Sequence, residues 1–247
     1  MENTVVVKDN ERLDDLHRNG YMIIQDPKRF CFGVDAVLLS DFAKAGKNEK
    51  VLDFGTGTGI IPILMEAKYP ENKFYGLEIQ AESAEMAQRS VLYNNLQEKI
   101  EIVEGDIKNS TEIFKPSSFD VITVNPPYMN SGGGLTNSYD PKTIARHEVL
   151  ITLEDIARQA SKLLKFGGRL YMVHRPQRLV DIMCTLRENK LEPKKIRFVQ
   201  PYADKEPTMA LIEATRSGKP MLKVMPSLII YDDDGNYTKE TIKIYYE

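Results

Sequence analysis

Short apolar segments alternate with helix-like ones along most of this chain, and that alternation is what most constrains its fold. The apolar segments predict strands near 50–54, 73–78, 100–104, 119–124 and 168–174. The segments between and after them predict helices near 58–69, 80–95, 152–164 and 176–189. Strands that alternate with helices form a parallel sheet covered on both faces. The sequence therefore predicts an α/β fold, to which residues 196–200 and 209–214 add the last two strands.

The composition is consistent with one domain. The chain has 247 residues, of which 42% are apolar and 28% charged, enough for one sizeable core. We expect a single domain over 1–247, made of an amino-terminal extension (1–30), a core (31–215) and a tail (216–247) with a hairpin around Asp234 and Gly235. The polar residues before about Tyr21 should be loosely held. No charged-then-apolar leader and no apolar run near eighteen residues is present, so we expect a cytoplasmic protein that does not enter a membrane.

A glycine-rich loop follows the first of these strands. In Asp53-Phe54-Gly55-Thr56-Gly57-Thr58-Gly59 the glycines let a ligand approach the backbone, and the next helix directs its free N–H groups toward that ligand. The spacing Gly-x-Gly-x-Gly is one residue shorter than the dinucleotide fingerprint. Asp53 would repel a phosphate but could bind an ammonium group. We therefore expect Asp53, Gly55, Thr56, Gly57 and Gly59 to bind S-adenosylmethionine rather than a nicotinamide.

Acidic residues also follow the next two strands. Glu78 lies about twenty residues beyond the last glycine, where a carboxylate accepts both ribose hydroxyls of an adenosine. Asp106 is placed to accept from the adenine amino group, with Ile79 and Ile107 as apolar covers for the ring. A single acidic residue at a strand end is more often a turn former, but acidic residues at successive strand ends, in this order along the chain, favour an adenosine ligand. Asp35 is a further candidate at the border of this pocket.

The tetrapeptide Asn125-Pro126-Pro127-Tyr128 closes the strand at 119–124. Two prolines fix φ and remove two backbone donors, so the Asn125 amide and nearby carbonyls can point outward as acceptors. Asn125 and the Pro126 carbonyl would take the two N–H bonds of a planar amino group, while Tyr128 stacks on its ring. An ordinary surface turn with a proline stop is the alternative.

These features together resemble the class I S-adenosylmethionine-dependent methyltransferases that carry Asn-Pro-Pro-Tyr and methylate exocyclic or amide nitrogens. Within that group the chain is most similar to the bacterial family that methylates N6 of adenine 37, beside the anticodon of valine tRNA. The segments Phe32–Leu39, Leu228–Ile230 and Gly235–Thr238 also resemble that family. The resemblance implies a Rossmann-like, mostly parallel seven-stranded sheet with helices on both faces and its last strand antiparallel. It also implies Asn125 as a catalytic residue that borders the cofactor.

Three other functions remain open. A protein glutamine methyltransferase would use the same four residues, although those enzymes carry a longer helical amino-terminal domain. A ribosomal RNA guanine-N2 methyltransferase usually has Phe where Tyr128 stands. A cofactor-binding module without catalysis is a different class of alternative. Cytosine C5 methylation is disfavoured because that reaction needs a cysteine nucleophile at the tetrapeptide, and neither Cys31 nor Cys184 lies there. The two cysteines also lack metal-ligand spacing, so no metal is expected.

The distribution of charge suggests where RNA could bind. Residues 158–223 hold 15 Lys and Arg against 6 Asp and Glu, although the whole chain has a net charge of −3. A cationic carboxyl-terminal half could bind phosphates while the acidic half holds the cofactor. Solvated helix faces are the alternative. The polar stretch 129–146 could act as a lid, and His147 could contact the nucleotide or simply lead into a helix. The candidate RNA-binding residues are Arg146, His147, Arg175, Arg178, Lys194, Lys195 and Arg197.

Overall fold

The computed structural model describes residues 5–28, 31–126 and 151–246. Its helices there are α1 (Val34–Phe42), α2 (Ile60–Lys68), α3 (Ala81–Tyr93), α4 (Ser110–Ile113), α5 (Leu153–Leu163), α6 (Leu179–Glu188) and α7 (Lys239–Tyr246). Two single turns of 3₁₀ helix lie at Ile107–Asn109 and Pro176–Arg178. The predicted alternation of strands and helices is therefore present along the described chain.

The strands form one large sheet and one small one. They are β1 (Arg12–Asp15), β2 (Met22–Gln25), β3 (Lys50–Phe54), β4 (Lys73–Glu78), β5 (Ile100–Glu104), β6 (Phe119–Val124), β7 (Leu164–His174), β8 (Leu191–Gln200), β9 (Met209–Arg216), β10 (Lys223–Val224) and β11 (Leu228–Ile229). The large sheet runs in the order β10-β8-β9-β7-β6-β3-β4-β5, and β11 also pairs with β8. Among these strands β9 runs antiparallel to both neighbours, and the other pairings are parallel.

Apolar side chains project from both faces of the sheet, because alternate residues of a strand point to opposite sides. Val51, Phe74 and Val121 pack with α1, α2 and α3 on one face. Leu52 and Ile122 pack with α5 and α6 on the other. The predicted mostly parallel sheet between two helical layers is therefore confirmed.

The parallel strands end together along one border of the sheet. Phe54 at the end of β3 lies opposite Val124 of β6 and Leu77 of β4, and Val124 lies opposite Met172 of β7. We refer to this border, formed by the residues that follow β3, β4, β5, β6 and β7, as the carboxyl edge. Loops at such an edge carry the ligand sites of α/β sheets.

The predicted count of seven strands is too low. The seven expected strands are present, with β9 as the antiparallel last one, but β10 and β11 add two residues each along the outside of β8. Strand β8 also begins at Leu191 rather than near 196. The first half of β8 was not predicted because Pro193 and the charged residues beside it interrupt the apolar pattern. A register shift between Pro193 and Lys195 accommodates the proline in the strand.

The predictions for the two ends of the chain are partly wrong. In the amino-terminal segment, β1 pairs with β2, and Glu11 pairs with Arg89 of α3, so the described residues before Tyr21 are anchored. In the tail, one bridge joins Tyr231 and Tyr237 around the expected turn, but the chain then forms α7 rather than a second hairpin strand. The Thr238 hydroxyl caps α7 by accepting from the Thr241 N–H at 3.2 Å.

Candidate active site

The loop between β3 and α2 has a backbone that favours glycine at three positions. Gly55, Gly57 and Gly59 have φ angles of +67°, +56° and +85°. The N–H groups of Gly55 and Thr56 donate to the Leu77 carbonyl at 2.8 and 3.1 Å. A Cβ at Gly55 or Gly57 would meet no atom within 4 Å. Backbone conformation, rather than a steric clash, therefore explains these two glycines, and the space beside them is open.

Asp53 lies under this loop in an unusual environment for a carboxyl group. Its side chain is buried, and Oδ1 accepts the Thr123 hydroxyl at 2.7 Å. Its other oxygen, Oδ2, is also buried and meets no donor at hydrogen-bonding distance and angle within the described part of the chain, although the neighbouring Thr56 hydroxyl also favours the charged carboxylate. Burial raises the pKa of Asp53 to about 7 despite the Thr123 hydrogen bond, and the negative charge of Glu78 contributes to the rise. A cationic ligand group beside Oδ2 would stabilise the carboxylate, as expected for an ammonium.

Glu78, at the end of β4, joins two neighbouring loops. Its Oε2 accepts the Gly57 N–H and its Oε1 accepts the Gln80 N–H, each at 2.9 Å. A carboxylate oxygen can accept more than one hydrogen bond. Glu78 therefore holds the glycine-rich loop in place and retains acceptor capacity for ribose hydroxyls.

The residues predicted to surround an adenine occupy the next two strand ends. Ile79 is 42% exposed, which leaves its side chain accessible to a planar ring. Asp106 begins the 3₁₀ turn after β5, where its Oδ1 accepts the Lys108 N–H at 2.8 Å. Ile107 is half-buried and packs against the core. Their roles toward adenine remain predictions.

Asp35 lies in the first turn of α1. In the last turn of the same helix, Asp41 forms an ion pair with Lys68 at the end of α2. The predicted place of Asp35 beside the cofactor pocket remains a prediction. Phe32 packs against the core.

Asn125 and Pro126 follow β6 directly, next to the end of β3 where the glycine-rich loop begins. Asn125 is half-buried and Pro126 is buried. The structure thus brings the predicted acceptor site and the predicted cofactor loop to adjacent strands. Pro127, Tyr128, Arg146 and His147 lie outside the described residues, so their roles remain predictions.

One polar residue of this region is absent from the sequence prediction. His174 ends β7 and is 6% exposed. It lines a cavity of about 170 Å³ with Pro126 and Arg178, together with the start of α5 at Ile151, Thr152, Leu153 and Ile156. The rule that selected Glu78 and Asp106, a polar residue at a strand end, applies equally to His174 and would have identified it.

The predicted RNA-binding cations do not form one surface. Arg175 and Arg178 follow β7 at the carboxyl edge, where Arg175 Nη1 donates to the Thr208 carbonyl at 3.2 Å. Arg178 pairs with Asp181 at 2.9 Å. The other three lie along β8: Lys194 donates to the Lys219 carbonyl, Lys195 pairs with Glu213, and the Arg197 side chain is 14% exposed and pairs with Glu240. Of the five candidates that the structure describes, only Arg175 and Arg178 lie beside the candidate site.

The family model of the methyltransferase small domain matches residues 28–189. The chain belongs to this family. It is 31% identical over 221 residues to the tRNA1(Val) (adenine(37)-N6)-methyltransferase of Porphyromonas gingivalis, covering 86% of each chain. It is 29% identical to the enzyme of the same name from Parabacteroides distasonis, covering 76% of this chain and 78% of that relative. The resemblance drawn from the glycine-rich loop and the tetrapeptide is therefore confirmed.

The fold itself has a matching solved structure. A crystal structure described as a predicted O-methyltransferase from Agrobacterium tumefaciens superposes with a TM-score of 0.71. The match covers 85% of this chain and 95% of the other at 21% identity. The Rossmann-like methyltransferase fold is thereby confirmed.

Two kinds of feature are absent from the described residues. They contain no cluster of three or more His, Cys, Asp or Glu side chains arranged to hold a metal ion. In the same part of the chain, no helix has the length and hydrophobicity needed to cross a bilayer.

Proposed function

We propose that the protein transfers a methyl group from S-adenosylmethionine to N6 of adenine 37 in valine tRNA. The observation that carries this proposal is the placement of two complementary sites on adjacent strands. Asp53, near the end of β3 and beneath the glycine-rich loop, would offer its buried carboxyl group to a cation, and Asn125 and Pro126 after β6 would offer two acceptors to an amino group. The relatives from Porphyromonas and Parabacteroides, named for this reaction, support the choice of substrate.

The cofactor's groups match the residues along the carboxyl edge. Asp53 would hold the ammonium group through Oδ2, which has no partner in the described structure. Glu78 would accept the ribose hydroxyls, Ile79 and Ile107 would cover the adenine, and Asp106 would accept its amino group. The glycine-rich loop with Thr56 would lie against the amino acid part, and Asp35 would border the pocket from α1. When bound, S-adenosylmethionine supplies an electrophilic methyl group on a positively charged sulfur.

The acceptor residues would act mainly by positioning. An adenine amino nitrogen is a weak nucleophile because its lone pair is delocalised into the ring. Asn125 Oδ1 and the Pro126 carbonyl would accept its two N–H bonds, favour a pyramidal nitrogen and direct the lone pair at the methyl carbon. As the new N–C bond forms, the bond between the methyl carbon and the cofactor sulfur would break and leave S-adenosylhomocysteine, and the nitrogen would lose one proton to solvent. Positioning of two bound reactants contributes on the order of 7–11 kcal/mol, so no strong general base is required.

Recognition of RNA would combine stacking and charge. Tyr128 would stack on an adenine splayed out of the anticodon loop, and an unpaired loop base avoids most of the cost of leaving a helix. Arg175 and Arg178 would contact phosphates at the carboxyl edge, with Arg146 and His147 as further candidates. Because the substrate is a tRNA, we place the reaction in the cytoplasm.

The test is methyl transfer from labelled S-adenosylmethionine to unmodified total tRNA, ribosomal RNA and release factors in separate incubations, followed by mass spectrometry. N6-methyladenosine at position 37 of valine tRNA is the expected product. Methylated guanine or glutamine as the product would support methyltransferase activity but overturn the assignment of adenine as the substrate. Cofactor binding without transfer to any of the three would indicate a binding module.

A further inference from the structure

Thr123 is a polar residue in the otherwise largely apolar strand β6. It lies opposite Asp53 of β3 in the register of the two parallel strands, so both side chains point to the same face of the sheet. Thr123 is fully buried, and its hydroxyl donates to Asp53 Oδ1 at 2.7 Å. On the other side of Asp53, β4 places Gly76, which has no side chain. Thr123 is therefore the side chain that lies directly opposite Asp53 in the sheet.

Packing alone does not explain a threonine at this position. A valine has nearly the same branched shape and would continue the apolar run of Val121, Ile122 and Val124. A buried hydroxyl lowers stability unless it is hydrogen-bonded, and the acceptor here is the carboxyl group that precedes the glycine-rich loop. The contribution of the Thr123 hydroxyl is thus its bond to Asp53.

The charge state of Asp53 is balanced between opposing effects. Burial and the negative charge of Glu78, at the end of β4, favour the neutral carboxyl group. The hydroxyls of Thr123 and Thr56 favour the carboxylate, and neither of them titrates. Together these effects place the pKa of Asp53 at about 7. Because this value coincides with neutral pH, a modest change in hydrogen bonding alters the fraction of Asp53 that is charged.

A neutral carboxyl group forms no ion pair with an ammonium group. We propose that Thr123 is a positioning residue of the cofactor site: by donating to Oδ1, it holds Asp53 as the carboxylate that binds the ammonium group of S-adenosylmethionine. This inference rests on the role proposed for Asp53 and is independent of which group accepts the methyl. Thr123 lies two residues before Asn125, so the strand that carries the acceptor site also controls the charge in the cofactor site.

The test compares two substitutions. Thr123→Val removes the hydroxyl at nearly constant shape, and Thr123→Ser keeps it. Calorimetry from pH 5 to pH 8.5 measures the affinity of both variants and of wild type for S-adenosylmethionine. Loss of a hydrogen bond to a charged group should raise the pKa of Asp53 by about one to two units.

The affinity of wild type relative to Thr123→Val should therefore depend on pH in a characteristic way. The ratio should peak at about 5- to 20-fold near pH 7, where the difference in charge is large. It should decline toward one at pH 5, where Asp53 is neutral in both proteins, and toward pH 8.5, where Asp53 becomes charged in both. The titration of the cofactor itself is common to both proteins and cancels in the ratio.

Thr123→Ser should follow the wild-type curve, because the serine hydroxyl can make the same bond. A purely structural threonine would give a ratio that does not vary with pH, and that result would overturn the proposal. A serine curve that matches the valine curve would do the same, since the methyl group rather than the hydroxyl would then be responsible. If Thr123→Val fails to fold, Thr123→Ala removes the same hydroxyl and carries the same expectation.

A second measurement observes Asp53 directly in the protein without cofactor. NMR of isotope-labelled aspartate carboxyl groups gives the midpoint of each titration, and Asp53→Asn assigns the signal. The midpoint of Asp53 should rise by about one to two pH units in Thr123→Val and stay in place in Thr123→Ser. An unchanged midpoint in Thr123→Val would refute the control of charge by Thr123.

Two further comparisons separate this inference from the proposed function. In an Asp53→Asn background, Thr123→Val should change the affinity by less than about twofold, because no titrating group remains for it to act on; a larger loss would contradict action through Asp53. Thr241→Val removes a buried hydroxyl from α7 and should leave the affinity unchanged. If Asp53→Asn bound S-adenosylmethionine as tightly as wild type, the role proposed for Asp53 would be wrong. If it bound weakly while Thr123→Val followed the wild-type curve, only the role of Thr123 would be wrong.

Discussion

The carboxyl edge has two halves that are built differently. At the ends of β3 and β4, the N–H groups of Gly55 and Thr56 donate to the Leu77 carbonyl, and those of Gly57 and Gln80 donate to the Glu78 carboxylate. At the ends of β6 and β7, the polar groups are the side chains of Asn125 and His174 and the carbonyl of Pro126, which follows Asn125. The half proposed to bind the cofactor is thus held mainly through backbone N–H groups, and the half proposed to bind the substrate presents side chains from separate strands. We refer to them as the cofactor half and the substrate half.

This difference suggests how the two halves can change. A loop held by its own backbone tolerates few substitutions at its glycines, since their φ angles are positive. Side chains at strand ends can be exchanged without disturbing the sheet. One cofactor site can therefore serve many acceptors, which agrees with the view that function resides in sites placed on a shared fold.

Asn125→Ala should give the largest difference between an effect on catalysis and an effect on cofactor binding. It removes an acceptor of the substrate half while leaving the glycine-rich loop intact. We expect kcat to fall by about 10³-fold or more, because the amino nitrogen loses its orientation, with nearly unchanged affinity for S-adenosylmethionine. Single-turnover methylation and calorimetry measure the two effects, and near-normal turnover would remove Asn125 from the mechanism.

Asp53→Asn should have the opposite pattern. Loss of the carboxylate should weaken binding of S-adenosylmethionine by about 100-fold at pH 8, the scale expected when one member of a buried charge pair is removed. Because the pKa of Asp53 is raised to about 7, wild-type affinity should fall as the pH drops below 7 and approach that of the variant. Calorimetry from pH 5 to pH 8 tests this, and a pH-independent difference would contradict it.

The same carboxyl group should affect the stability of the protein without cofactor. The folded pKa of Asp53, about 7, lies above the usual value of about 3.9 for an unfolded chain. Between these values the folded protein retains a proton that the unfolded chain has lost. The free energy of unfolding should therefore fall as the pH rises through this window, by up to about 1.4 kcal/mol per pH unit.

Urea unfolding at pH 5, 6, 7 and 8 measures this effect, and Asp53→Asn is the control because it lacks the titrating group. The stability of the variant relative to wild type should increase from pH 5 to pH 7 and then level off. Parallel pH profiles for the two proteins would show that Asp53 titrates normally.

Gly76→Ala should disturb the cofactor half through packing. A Cβ at Gly76 would lie 2.7 Å from Thr56 Cγ2 and 2.8 Å from Ile102 Cδ1, both inside the fold. We expect a loss of about 1–3 kcal/mol in the free energy of unfolding and a weaker affinity for S-adenosylmethionine as Thr56 is displaced. Gly46→Ala is the control, because the three atoms nearest to its new Cβ all belong to the flexible Glu49 side chain. Equal stability of both variants would contradict this packing.

The smallest effect should come from Arg178→Ala, which removes a cation at the edge of the substrate half. We expect affinity for tRNA to fall about 3- to 10-fold and its dependence on salt to weaken, as for the loss of one phosphate contact. Arg187→Ala is the matched control, since Arg187 forms a similar ion pair with Glu192 away from this edge. Equal effects of the two substitutions would place RNA binding elsewhere.

Much of the fold and of the cofactor half was predictable from local patterns. Each strand from β3 to β7 is an apolar run beside a helix, and each candidate cofactor residue except Asp35 stands within a few positions of a strand end. The sequence predictions were wrong where contacts between residues far apart in the chain determine the local structure. The amino-terminal β1 is stabilised by pairing with β2 and by the Glu11–Arg89 ion pair, which joins residues far apart in the chain.

The substrate half was less predictable for the same reason. Lys194, Lys195 and Arg175 belong to one cationic stretch of sequence, yet β8 carries the two lysines away from the site and the end of β7 brings Arg175 to it. His174 acquires its character only from burial and from the Arg175 N–H that fixes its tautomer.

The sequence by itself determined the strands, the glycine-rich loop and the residues offered at each strand end, because these depend on periodicity and on the conformations that Gly and Pro allow. Only the tertiary structure decided which strand ends are adjacent, that Asp53 is buried with an elevated pKa, and that His174 shares a cavity with Pro126. Burial and adjacency arise when segments distant in the chain pack together, and no local pattern carries that information.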